Sequence, residues 1–501
     1  MYEFTKLTEP GTQSTFLSIQ TVFNGNNLDE LLSDENGSFT TLTVSGRSNL
    51  INRINTVEVA GLEGLLESEE HSISEKEITV KYRVSDKTNE GFRKRCNQLN
   101  GLLIGAKKEL EFSDEEAVFF ATLSSNIIPE EDSNNLVGTI TFLCSNPHKY
   151  HKLSLATIES DLFSVTCNGS ASAYPIIRAT VKEPITHFDI ISEQGYMRLG
   201  EPLSLEEIPA EREQLILHDT MQTTTGWATS AAGIIDGAVS GQMLADTYRF
   251  YVNDYGTGAG WHGPARTKTV SQIPLTDFRI EAVVELLNTN RLNNGRIEIY
   301  LLNDLLEVVG KMAMKNVDRG SNRNYGEIRI GNSTINHKLI EEFGATESTW
   351  ENFYGLLRLQ RNGTKWEAYI AQIDKDTGVH TSRKYVAFED FDDQFSKDVS
   401  AVAVHLGKYG TNSVTTNRIY DLKVFKVNNL TENQIPYIAY PGDLIEIDFS
   451  KSKILINGED RKDLKDFGSR YFPLVPGVNI LQIAPFTSLE NIEIEWRDRF
   501  K

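Results

Sequence analysis

Only three cysteines occur in 501 residues (Cys96, Cys144 and Cys167), and no two are spaced as Cys-x-x-Cys. That scarcity excludes a disulfide framework and a thiolate zinc site, and fits a chain made in a reducing cytoplasm. The start, Met1-Tyr-Glu-Phe-Thr-Lys6, lacks the basic-then-apolar order of a secretory leader. No apolar run approaches the ~18–20 residues of a membrane span, so no membrane partner is expected. Basic residues are in the minority, 50 Lys and Arg against 70 Asp and Glu, which gives a net charge of −20. Sequence-specific nucleic-acid binding is therefore not expected, because neutralising phosphates needs a basic footprint. Catalytic fingerprints are missing too: there is no Gly-x-Ser-x-Gly, phosphate loop or dinucleotide motif.

What the chain has in quantity is β-strand pattern. Gly442-Asp-Leu-Ile-Glu-Ile-Asp-Phe449 alternates, with Ile445, Ile447 and Phe449 on one side. Lys453-Ile-Leu-Ile456 runs into Asn457-Gly458, a dipeptide that tolerates positive φ and signals a hairpin. Further apolar runs over 471–483 and 491–496 complete about four antiparallel strands with one buried face, which needs a partner sheet. The better donor lies far upstream, in Ala173-Tyr-Pro-Ile-Ile-Arg-Ala-Thr-Val181 and Ile185-Thr-His-Phe-Asp-Ile-Ile191. One β-sandwich split by a large insertion is the reading.

Length alone suggests about three domains. Residues 1–152 read as β-rich with one helix, whose stripe is Phe92, Cys96, Leu99 and Leu103. Residues 153–213 hold the first part of the split sandwich and 428–501 the second, with polar linkers at 201–213 and 428–434. Between them, 214–427 shows many strands, turn signals and hardly a helix, which argues for a self-contained two-sheet jelly roll. The fold class is mainly β.

The layout resembles the distal tail protein (Dit) family of siphophages. Val57-Glu-Val-Ala-Gly61, the helix at 92–103 and Thr139-Ile-Thr-Phe-Leu-Cys-Ser-Asn-Pro-His-Lys-Tyr150 look like that family's N-terminal belt domain. Ala173-Tyr-Pro-Ile-Ile177 looks like the start of its galectin-like domain. Pro441-Gly-Asp-Leu-Ile-Glu-Ile-Asp448, Ile456-Asn-Gly458 and Phe472-Pro-Leu-Val-Pro-Gly-Val-Asn479 look like the remainder. The 214–427 insertion is what distinguishes the long, "evolved" form, which carries carbohydrate-binding modules there. The resemblance implies a belt domain forming a homo-hexameric ring between the tail tube protein and the tail-associated baseplate protein. It also implies a virion protein of the tail tip, synthesised in the host cytoplasm, without catalytic residues.

Saccharides present C–H faces that stack on aromatic rings and hydroxyls that hydrogen-bond to amides, carboxylates and arginine. Tyr248 to Arg266 concentrates such groups among glycines: Tyr251, Asn253, Asp254, Tyr255, Trp261, His262 and Arg266 are the candidates for binding host cell-wall saccharide. Tyr325 and Tyr409 rank second, and Trp227 and Trp366 read as core. The carboxylate pairs Glu446/Asp448 and Glu493/Glu495 read as the wet side of a sheet rather than a glycosidase pair. No cofactor is expected, except a structural calcium that Asp219 and Asp421 would hold if closure of the insertion brought its ends together. The rival from another class is a tail-borne glycan hydrolase with the insertion as catalytic domain; a third reading makes the insertion a purely structural docking module.

Overall fold

The computed structural model describes residues 19–501 apart from 319, 347 and 415. The start that was read for a leader lies outside the described residues. Three hydrophobic cores organise the chain, and each belongs to a body built almost wholly of strands.

The first body is a β-sheet covered by one long helix, with a one-turn helix, Leu28–Leu31, beside it that the sequence reading did not include. Its central strands are Lys76–Asp86, Asn135–Cys144 and Val118–Ile127, flanked by Gly37–Ser45 on one side and Lys108–Phe112 on the other. The helix Asn89–Leu102 starts at Thr88, whose hydroxyl accepts the Gly91 N–H at 3.0 Å, so the first turn is capped. Phe92, Cys96 and Leu99 recur at helical spacing and are buried against Ile78, Val80 and Phe142. A hairpin of Asn52–Val57 and Leu66–Ile73 leaves this body as a free two-stranded ribbon. Residues 48–69 of it are exposed throughout.

The second body is the split sandwich. Ile176–Val181 pairs antiparallel with Leu444–Asp448, so that Ile177 faces Ile447 and Ala179 faces Ile445, all four buried. The two halves meet across the insertion, but not as donor sheet and acceptor sheet. One sheet runs Ser154–Thr157, Leu489–Trp496, Ile176–Val181, Leu444–Asp448, Lys453–Ile456 and Glu459–Asp460. The other holds Leu162–Cys167, Gly477–Ala484, His187–Ser192 and Gly195–Gly200. Each sheet mixes early and late strands, because alternation tells which side of a strand is buried but not which neighbour it takes. Asn457 (φ 51°) and Gly458 (φ 80°) both adopt the left-handed conformation that their hairpin turn requires.

The third body, from Glu213 to Val427, is a two-sheet sandwich with its own core of Phe278, Ile299, Met312, Trp350, Leu357, Trp366 and Val424 among others. Its inbound and outbound segments, read from the sequence as polar linkers, zip together: Ile208–Ala210 pairs in parallel with Gln434–Pro436. The two ends of the insertion therefore lie side by side. A further crossing was not legible in the sequence. The last strand, Arg499–Phe500, returns to the first body by pairing with Lys149–Tyr150, and Tyr150 in turn faces Val118.

Candidate functional site

The glycine-rich loop of the insertion joins the strand Phe250–Asp254 to the short strand Trp261–Gly263, and Trp261 sits opposite Tyr409 of Ala401–Tyr409. The Trp261 and Tyr409 rings meet edge to face, with centroids 5.4 Å apart and planes at 73°. Together with Gly258, Asn294, Val317 and Asn412 they line an open cleft of about 470 Å³. Trp261 is half-buried and Tyr409 is 46% exposed. The Arg296 guanidinium carbon lies 4.6 Å from the Trp261 ring centre and supports it from the protein side. Asn412 donates to the Asn294 side-chain oxygen at 2.7 Å, fixing the amide at the cleft wall.

Of the seven residues picked from the loop, the cleft is lined by Trp261 alone. Tyr251 is half-buried beside Arg418. Asn253 is exposed and donates to Gln242 at 2.9 Å, and Asp254 accepts the Gly256 N–H at 2.9 Å within its own turn. Tyr255 is half-buried under Lys408, its phenol pushed up to about 12 by burial. Two expectations need correction. His262 is buried and donates from Nδ1 to the Gly260 carbonyl at 2.9 Å, because β-alternation turns it inward where its neighbour Trp261 turns out. Arg266 donates to the Trp227 and Met243 carbonyls at 3.1 and 3.0 Å, which makes it a backbone tie between strands. Asn294, Val317 and Asn412 escaped the sequence reading because they come from loops far apart in the chain; the Tyr409-Gly-Thr-Asn412 turn was the signal available.

The calcium pair fails on the same alternation. Asp219 lies opposite buried Leu422 and points inward to Trp227 Nε1 (2.9 Å) and Lys268 Nζ (2.6 Å). Burial would raise its pKa, but the lysine and the indole N–H outweigh it and keep the carboxyl below its ordinary value. Asp421 faces the opposite side of the sheet and binds His218 at 2.7 Å. The two carboxylates do not fit one cation, and among the described residues no cluster of three or more His, Cys, Asp or Glu is arranged for a metal. Trp227 and Trp366 are buried as core. Glu446 and Glu495 are tied to one cation, Arg178, at 2.7 and 2.8 Å on the wet face of their sheet.

A second cluster was not anticipated. On the sheet face away from the main core, Glu298 lies opposite Ala313, which lies opposite Glu327, two strands over. Lys311 bridges them at 3.3 and 2.8 Å, which brings the carboxyls within reach of the ~5–9.5 Å spacing of glycosidase pairs. Arg296 and His405 also hold Glu298, at 3.1 and 2.8 Å, and Asp236 caps Lys311 and Arg329 at 2.9 and 2.8 Å. The segment 234–239 lies over this face, with Ile234 and Ile235 packed on Tyr300 and Ala403. Burial would raise both carboxyl pKa values, yet Lys311 and Lys315 bring Glu327 down to about 2, and Arg296 with Lys311 keeps Glu298 far below the carboxylate range. Burial outweighs the pull of Glu298 and lowers the His405 imidazole below its ordinary value. Both carboxyls are therefore buried and favoured in the ionised form by their cationic neighbours.

Residues 406–500 match the family model described as the siphovirus-type tail component, C-terminal domain. No curated protein sequence matches the chain. Among solved structures, the chain is similar to SPP1 Dit, the hub adsorption protein of Gram-positive infecting phages, at 20% identity over 36% of this chain and 74% of that one, TM-score 0.32. It is similar to the CBM2 module of the Lactobacillus casei BL23 phage J-1 evolved Dit at 15% identity, over 45% of this chain and all 100% of that one, TM-score 0.37. It is also similar to SCLam, a family GH16 endo-β-1,3(4)-glucanase, at 9% identity over 50% of this chain and 97% of that one, TM-score 0.30. The family match runs from the last strands of the insertion through the late half of the split sandwich, and over that segment the chain is similar to siphovirus-type tail components.

Proposed function

We propose that this tail component forms a hexameric ring at the tail tip, between tail tube and baseplate, and that its inserted sandwich binds a saccharide of the host cell wall without cleaving it. The Trp261–Tyr409 cleft carries the binding reading: two aromatic rings and two amides meet at the surface of an otherwise self-contained module. A shallow site of this kind binds one saccharide weakly. Several copies on one rigid ring raise the effective concentration of each later contact, so adsorption comes from avidity.

The ring reading is supported by the free hairpin of the first body. An isolated two-stranded ribbon is marginal in water. This one displays Leu50, Ile51, Ile54, Val57, Leu62 and Leu66 to solvent, an apolar surface that calls for a neighbouring subunit.

The hydrolase alternative has one observation in its favour, the Glu298/Glu327 pair, and the Lys311 bridge and the covering segment speak against it. Purified host wall polysaccharide separates the two. Retention of the polysaccharide by the protein with no new reducing ends supports binding; release of reducing ends defeats it. Absence of retention on every susceptible strain would favour a docking role for the insertion.

A further inference from the structure

We infer, building on that saccharide-binding reading, that the Trp261–Tyr409 cleft takes an uncharged pyranose and rejects the anionic repeats of a phosphate-bearing wall polymer. The walls are two aromatic rings, two amides, a threonine, a valine and glycine-rich backbone, with no carboxylate, ammonium or guanidinium among the described residues that line it. The cation that touches the wall, Arg296, stands behind the indole, buried, with its charge answered by Glu298 at 3.1 Å. It supports the ring without offering a charge to the cleft. An incoming phosphodiester would lose hydration without meeting a cation among the described wall residues, inside a protein of net charge −20.

What the walls do offer suits a neutral sugar. Tyr409, 46% exposed, and half-buried Trp261 present apolar ring surface to a pyranose C–H face. Asn294, buried, takes one amide N–H of Asn412 on its side-chain oxygen at 2.7 Å, and gives its own amide to the Asn316 carbonyl at 3.3 Å. That pins the Asn412 amide in one orientation. Its carbonyl oxygen and second N–H form no hydrogen bond among the described residues, and a donor beside an acceptor matches two adjacent hydroxyls. The volume of about 470 Å³ is within the range of small-molecule sites and holds one or two pyranose rings, so recognition is of a chain end or side branch rather than of a long polymer track.

The test uses the full-length protein, with intrinsic tryptophan fluorescence and saturation-transfer NMR as readouts. Glucose, galactose, rhamnose and N-acetylglucosamine are the uncharged probes; glycerol 1-phosphate and poly(glycerol phosphate) are the anionic ones. The expected result is saturable binding of at least one neutral sugar, transfer to its C–H protons, and little change between low and high salt. Trp261→Ala and, at the exposed turn, Tyr409→Ala should each weaken it about tenfold or more, with far-UV circular dichroism unchanged. Saturation by the anionic probes alone would overturn the inference, as would neutral-sugar binding that neither substitution alters. If every probe fails while purified wall polysaccharide is still retained, the inference falls and the saccharide reading stands. If the polysaccharide is not retained either, the reading itself falls.

Discussion

Arg358 of the inserted sandwich and Glu459 of its host form a two-pronged ion pair, Nη1 to Oε1 at 2.8 Å and Nη2 to Oε2 at 2.7 Å, between residues 101 positions apart. Glu459 follows directly on the Asn457–Gly458 turn, and that turn presses on the insertion: the His380 N–H donates to the Gly458 carbonyl at 3.0 Å, and a Cβ at Gly458 would lie 2.1 Å from the Gly378 carbonyl oxygen. Arg383 to Asp460 at 2.8 Å adds a neighbouring tie. The module is thus clamped to its host at a second place, away from the zipped linkers, and its orientation is fixed.

Arg358→Ala should release that clamp without unfolding either sandwich. A well-formed bidentate pair of low exposure is worth about 1–3 kcal/mol, because Glu459 is left without its partner. Small-angle scattering should show a broader, more extended particle, and limited proteolysis should cut faster at 201–213 and 428–434. Unchanged scattering and cutting would mean the linker strands alone set the geometry.

Acid should have a similar effect. Burial would raise the pKa of Glu459, but its bonds to Arg358 outweigh burial and set it at about 2, below the ordinary value of 4.5. A carboxyl depressed in the docked state contributes its full stabilisation above the ordinary value and loses it as pH falls toward 2. The clamp should therefore hold from neutral pH to about 4.5 and weaken progressively below. Proteolysis by an acid-active protease across that window would detect it; loosening that begins between pH 7 and 5 would contradict the assignment to Glu459.

Lys311→Met should destabilise the inserted sandwich by about 3–5 kcal/mol, since Glu298, Glu327 and Asp236 all lose a buried counter-charge. Differential scanning calorimetry should show the transition of the insertion falling while that of the other bodies stays in place. Arg296→Met should cost less stability but change the Trp261 fluorescence, because the indole loses the cation that supports it.

Ile54→Glu combined with Leu66→Glu places charge on the free hairpin, where no core residue is disturbed. Light scattering at micromolar concentration should then report a shift from ring to monomer, with unchanged thermal stability of the monomer. A ring that survives the double change would move the subunit contact elsewhere.

Much of the fold was legible because β-alternation marks which side of a strand is buried. Ile445, Ile447 and Phe449 were placed on a core face from spacing alone, and the Asn457–Gly458 turn was visible as a dipeptide. Strand order was not, since local pattern carries no information on partners: Gly477–Ala484 left the sheet of its neighbours for the opposite one. The cleft was half legible. Trp261 and Tyr409 stand out as large rings in glycine- and asparagine-containing loops, whereas Asn294 and Val317 become wall residues only after folding. The Glu298–Lys311–Glu327 cluster was hidden because Glu298 lies on the strand face opposite Ile297, Ile299 and Leu301, and the segment that buries that face lies about sixty residues upstream.

The parallel pairing of Ile208–Ala210 with Gln434–Pro436 brings the insertion's ends together, so residues 212–430 can be replaced by a short polar linker. Phage carrying that deletion are the most direct test of a tail hub that displays a saccharide-binding module. The account predicts tailed particles in normal number, visible by electron microscopy, whose adsorption rate to host cells falls at least about tenfold. Tails that fail to assemble, or adsorption that is unchanged, would contradict it.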